Sequence, residues 1–148
     1  MNVLGAVNAI TKQVSTYINT TYICSNCLVA FLKQLKQEYG DPASGGTIVL
    51  DNARYQHCFL VNTFAKSLGI HMLFLPPYSP NLNIIERLWK FTKKQILNAQ
   101  YYDAPLKFHQ AINDFFQPIN QKHNPALHKL LTLKFQFFDK NIAHSYAA

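Results

Sequence analysis

Two carboxylates stand out by position. Asp51 directly follows the apolar run TIVL (47–50), and Glu86 lies within LPPYSPNLNIIERLWK (75–90). The chain's other glutamate is Glu38. Carboxylate oxygens that converge on one spot suit Mg2+, which prefers hard ligands and keeps several of its waters. A pair of such ions, roughly 3.5–4 Å apart, activates a water and stabilises the leaving oxygen of a phosphodiester. Each acid also has a plain structural alternative. Asp51 can close its strand through an Asx-turn. Asn83-Ile84-Ile85-Glu86 fits a capping box with Asn83 as N-cap, and the helix dipole favours a glutamate at N3. The residues alone leave these alternatives open.

Positioning the pair requires strands and a stiff connector. NVLGAVN (2–8) and QVSTYI (13–18) read as an antiparallel hairpin. SNCLVAFLKQLKQEYG reads as a helix capped by Ser25 or Asn26 and stopped by Gly40, with Cys27, Leu28, Phe31, Leu32 and Leu35 on its apolar face. DPASGG is a loop, and TIVL and IHMLFL (70–75) read as buried strands. Between those strands, 57–68 reads as a helix with Phe59, Leu60, Phe64 and Leu68 on one side. Each proline of PPYSP fixes its own φ and biases the residue before it to extended geometry. The helix from about Ile84 to Asn98 is thereby held at a set distance from the strand end. Asp103 is expected to cap a helix running to about residue 120, and Asn124-Pro125 to start another; KFQFFDK is ambiguous. A strand–helix–strand unit implies a right-handed parallel pair. With the hairpin it makes an α/β fold, a mixed sheet covered by helices, with both acids at the carboxyl edge where ligands gather.

Composition narrows the partner. The 148 residues fit one domain, 49% hydrophobic, with net charge +7 and pI about 9.4. A basic balance favours an anionic partner, most often nucleic acid. Nine of the 14 basic residues lie from Arg87 onward, against three acids. Arg87, Lys90, Lys93 and Lys94 fall on the polar part of the helix after Glu86, and Arg54 follows Asp51 closely. These five are the candidate DNA contacts, the alternative being a solvated face with Glu86 and Lys90 as an i,i+4 pair. Trp89 reads as core. No run approaches the roughly 20 apolar residues of a membrane span, and no basic segment precedes the first apolar stretch as in a signal peptide. A cytoplasmic location is the default.

Cys24, Cys27 and Cys58 are too few for a disulfide scaffold. Cys24-Ser-Asn-Cys27 has no second pair to complete a four-ligand zinc site, and reads as buried small apolar residues, with a redox or metal role as the alternative. No nucleophile elbow and no phosphate-cradling glycine loop is present.

LDNARYQH followed by LPPYSPNLNIIERLWKFTKK resembles the catalytic core of the mariner-type DDE transposases and their bacterial insertion-sequence relatives. Thirty-four residues separate Asp51 from Glu86, the spacing that family shows between its second and third metal-binding acids. NVLGAVNAITKQ looks like an internal hairpin of that core. The resemblance implies an RNase H-like fold, Mg2+- or Mn2+-dependent cleavage at transposon ends, and strand transfer into target double-stranded DNA. Asp51 would be the second acid and Glu86 the third. The family's first Asp sits on a central strand ahead of the hairpin, and here only Glu38 and Asp41 precede Asp51. Neither falls on a predicted strand. The sequence thus reads as a partial core, spanning residues 1–148 and lacking the first, central strand, with a weakened metal site. The hairpin and the parallel pair would either close on each other or leave a gap for another chain, in a homodimer or with an upstream transposase fragment. A non-catalytic DNA-binding or subunit-partner module derived from a transposase is the alternative function.

Overall fold

The computed structural model describes residues 1–40, 46–77, 79, 82–98 and 100–132. Strands β1 (Asn2–Val7) and β2 (Val14–Asn19) pair antiparallel, from Asn2 opposite Asn19 to Val7 opposite Val14. The turn between them is closed by Asn8, whose Oδ1 accepts the amides of Ile10 and Thr11, while Lys12 takes the left-handed φ of 61°. Helix α1 (Ser25–Tyr39) follows, with its five expected apolar residues all buried. It ends at Gly40, φ 75°. Cys24, not Ser25 or Asn26, occupies the N-cap position.

Strand β3 (Thr47–Leu50) pairs in parallel with β4 (His71–Phe74), joined by a 3-10 turn (Arg54–His57) and helix α2 (Phe59–Ser67). This is the expected strand–helix–strand unit, with one correction to its helix. Phe59 is 85% exposed and Leu60 is also exposed, while Val61 and Ala65 are buried. Of the expected helix, His57 closes the separate 3-10 turn instead, and Cys58 is the N-cap. The real stripe is therefore Val61, Phe64, Ala65 and Leu68, which packs on Leu28 and Leu32 of α1 and on Ile48 and Met72 of the strands.

Helix α3 (Ile85–Leu97) leads to α4 (Pro105–Phe116), the single turn α5 (Ile119–Lys122) and α6 (Asn124–Leu130). The helix expected to reach residue 120 breaks where Pro118 removes a backbone donor. Asp103 makes no cap; its carboxylate pairs with Lys107 at 2.8 Å, one turn along. KFQFFDK lies outside the described residues, as does most of DPASGG.

The two strand pairs form separate two-stranded sheets. The single mixed sheet expected from the sequence is not hydrogen-bonded together among the described residues. Two cores correspond to the two sheets. One gathers Val14 of the hairpin with Leu88, Ile96, Ile112, Phe116, Ile119, Leu127 and Leu131 of the later helices. The other is the smaller cluster of Leu28, Leu32, Val61 and Ala65. Helix α1 touches both regions: Phe31 approaches Tyr17 of β2, and Gln34 donates to the Thr16 carbonyl at 3.2 Å.

Candidate functional site

Strand β3 ends at Leu50, and the Leu75 amide donates to the Leu50 carbonyl at 2.8 Å, one residue beyond β4. Pairing therefore continues to the point where Asp51 leaves one strand and the proline connector leaves the other. Asp51 is exposed. Its Oδ1 accepts Nε2 of Gln56 at 2.7 Å, and the same side chain's Oε1 accepts the Ala53 amide at 2.9 Å. Gln56 is buried, so the donor side of this clamp is sheltered while Asp51 itself stays exposed. It replaces the Asx-turn alternative: Asp51 is tied to a side chain five residues on, leaving lone pairs directed elsewhere.

The neighbouring residues hold this turn. Asn52 has φ 73°, a left-handed value that asparagine tolerates better than most residues. Its Oδ1 meets Nε2 of His57, whose ring stacks on Phe74 with centroids 4.1 Å apart. Tyr55 is partly buried, and that burial pushes its phenol above the usual tyrosine range. Sequence reasoning missed Gln56 and the His57–Phe74 stack. Neither residue belongs to a periodic pattern, and their only signal was closeness to Asp51.

Glu86 is the second residue of α3 and is half-buried. The capping box does not form. Ile84 is already helical in its dihedrals and, as N-cap, makes no side-chain cap bond, and the Glu86 and Arg87 amides bond three residues back to Asn83 and Ile84. Asn83 Oδ1 instead accepts the Ile85 amide at 3.3 Å. Among the described residues the Glu86 carboxylate has no hydrogen-bond partner and no ion pair, including with Lys90. An acid at the start of a helix is favoured by the dipole even so.

The two acids belong to different halves. Asp51 rests on the parallel pair, whereas α3 lies over the hairpin, where Trp89 and Ile85 crowd Gly5 so closely that a Cβ there would stand 2.7 Å from the indole. Trp89 meets Phe116 edge-on and packs against the larger core, in line with its core reading. No hydrogen bond joins the two carboxylates, and among the described residues no three His, Cys, Asp or Glu side chains gather as a metal-binding group. The donors themselves, hard carboxylate oxygens with unused lone pairs, fit Mg2+ or Mn2+. Two protein ligands leave most of the coordination shell to water or to groups from elsewhere. Glu38 is no third ligand, since its carboxylate is engaged by Ser15 of β2 and by Gln34 at 2.7 Å.

The basic residues divide by role. Arg54, Lys90, Lys93 and Lys94 are exposed. The three lysines, at i, i+3 and i+4, share one helix face. Arg87 turns inward: its Nη1 donates to the carbonyls of Thr132 at 2.6 Å and Leu130 at 3.4 Å, holding the end of α6 against α3.

The molecule is thus a mixed α/β domain with an acid at the carboxyl end of a parallel strand, a second acid opening the helix after the next strand, and a lysine face beside it. The family model of the DDE superfamily endonucleases matches residues 1–105, and the chain belongs to that family. No curated protein matches the chain. The family identifies a transposase- or endonuclease-related domain, in a chain where no described helix is long and apolar enough to cross a membrane.

Proposed function

We propose that this chain is an RNase H-like core module of DNA transposition, of the mariner-type and insertion-sequence branch, working on double-stranded DNA in the cytoplasm. The observation that carries the reading is the position of Asp51 and Glu86. Each follows a strand of one parallel pair, at the family's 34-residue spacing, within the matched segment. Asp51 and Glu86 would hold Mg2+ or Mn2+. Such an ion, when bound, supplies activation of a water and stabilisation of the leaving oxygen. The chain's own part is to hold the ligands still. Gln56 fixes one oxygen of Asp51, and the first turn of α3 carries Glu86. Lys90, Lys93, Lys94 and Arg54 would meet phosphates, which positions the duplex without reading its sequence. Arg87 supports that face by anchoring α6 to α3.

Two carboxylates are a thin ligand set, and a third would be supplied by a second copy or by a further transposase segment. Among the described residues the two sheets are not joined, which supports this reading, because unpaired strand edges accept a further strand.

The test is nicking of supercoiled plasmid DNA in Mg2+ or Mn2+. The Glu86→Gln chain should lose all metal-dependent nicking while keeping its duplex affinity in fluorescence anisotropy. Nicking that survives the substitution would reject the role of Glu86. A second reading, a non-catalytic DNA-binding or subunit-partner module, is favoured by the absence of a three-residue metal cluster among the described residues. It predicts salt-dependent DNA binding with no cleavage by either form.

A further inference from the structure

We propose that Cys24 and Cys27 form a reversible dithiol–disulfide pair that exchanges with small disulfides of the glutathione class. The two sulfurs already lie 3.6 Å apart, in contact. Cys24 is the N-cap of α1, in extended conformation at φ −140°, and Cys27 is the third helical residue. This is the N-cap-to-N3 relation in which a capping side chain folds back over the first turn. Closing to a disulfide length of about 2.05 Å asks for side-chain rotation, with little demand on the backbone.

The two thiols differ in the way an exchange pair requires. Cys24 is exposed and Cys27 is buried, so an incoming reagent meets Cys24 first. The amide and thiol of Cys27, and then the Asn26 amide, favour the Cys24 thiolate and lower its pKa below the ordinary cysteine value. Cys27 is held facing it, with Asn19 Nδ2 at 3.0 Å and the Tyr22 carbonyl at 3.5 Å from its sulfur. The structure also provides space. Cys27, Asn26 and Asn19, with Met1, Tyr17 and Ile18, line an open pocket of about 540 Å³ with mixed polar and apolar walls, room for a short peptide disulfide. None of these residues carries the DNA reading, so the inference stands apart from it.

The step balances as follows. The Cys24 thiolate attacks one sulfur of the small disulfide, forming a mixed disulfide and releasing one thiolate, which takes up a proton. Cys27 then loses its proton and attacks the Cys24 sulfur. The Cys24–Cys27 bond forms and the second small thiol leaves. Two protein thiols are oxidised and one disulfide is reduced to two thiols.

The full chain would be equilibrated in glutathione buffers of graded ratio, trapped with an alkylating agent, digested with trypsin and analysed by mass spectrometry. Cleavage after Lys12 and Lys33 places Cys24 and Cys27 in one peptide, while Cys58 falls in another, after Arg54. The expected product is the 13–33 peptide lighter by two hydrogens and unalkylated, reverting on reduction. It should form equally in Cys58→Ser. In Cys27→Ser a mixed disulfide at Cys24 should accumulate instead, with the circular dichroism spectrum unchanged. The proposal is overturned if the wild-type chain stops at the mixed disulfide, if Cys24 links to Cys58, or if both thiols remain alkylatable in fully oxidised glutathione.

Discussion

The hairpin and the parallel pair are both two-stranded, yet they are finished differently. The hairpin's inward residues Val3, Val7, Val14 and Ile18 are packed beneath α3 to α6. On the parallel pair, Ile48 and Met72 pack toward α1 and α2. The next residues, Val49 and Leu73, point to the other face by strand alternation and remain 48% and 49% exposed. The hairpin half is thus closed around a large core. The parallel half has one face packed and one open, and it is the half that carries Asp51. The open face offers a partner access there, beside a smaller core.

The deepest test of the division is Leu88→Ala. Leu88 is fully buried in the larger core, and truncation of such a leucine costs about 2–5 kcal/mol. The loss should be read by urea denaturation, alongside amide hydrogen exchange. Amides of α3 and the hairpin should lose protection first, while those of β3 and β4 hold theirs longer, if the halves open as separate units. Simultaneous loss throughout would show that α1 couples them into one.

A smaller effect is expected at Gly5. Its neighbours are Trp89 and Ile85, and a Cβ would enter the indole's space at 2.7 Å. Gly5→Val should cost about 1–3 kcal/mol by overpacking, measured as a lowered urea midpoint with unchanged slope. A β-branched residue is otherwise welcome in a strand, so a neutral or stabilising result would mean that α3 does not sit against β1 this closely.

Much of this arrangement was legible beforehand, for identifiable reasons. Thr47–Leu50 was bounded by a loop and an acid, and its limits are those expected. The apolar stripe of α1 had five members in helical register, and all five are buried. Asp51 and Glu86 stood out by spacing and by the family's motif; their metal-binding role is a proposal. What failed were inferences from local pattern where tertiary contact decides. Phe59 and Leu60 looked like helix core because they are large and apolar, but the turn made by Arg54–His57 shifts the helix start and leaves Phe59 outward. Asp103 looked like a cap but found Lys107. Asn83 and Glu86 matched a capping box in residue type, yet the helix winds from Ile84, one position late for the box to close. Arg87 reads as a surface cation in sequence; its use by the α6 carbonyls depends on residues more than 40 positions away. Gln56 had no signal of its own, because a buried clamp on one carboxylate has no periodicity.

The finest distinction between the halves concerns the open face itself. If Val49 faces solvent, exchanging one methyl for a hydroxyl should matter little, and Val49→Thr should change stability by less than about 0.5 kcal/mol, as for surface substitutions generally. The matched change in the closed half is Val14→Thr. Val14 is only 5% exposed, packed in the larger core, and a buried hydroxyl without a partner there costs about 1–3 kcal/mol. Both residues are β-branched before and after, so strand propensity cancels between them. Urea midpoints of the two variants then report burial almost alone. Equal losses would mean that the face bearing Val49 and Leu73 is covered in solution, by a second copy or another segment. Dilution separates those cases, because a cover supplied by a second copy falls away as protein concentration drops and one within the same chain does not.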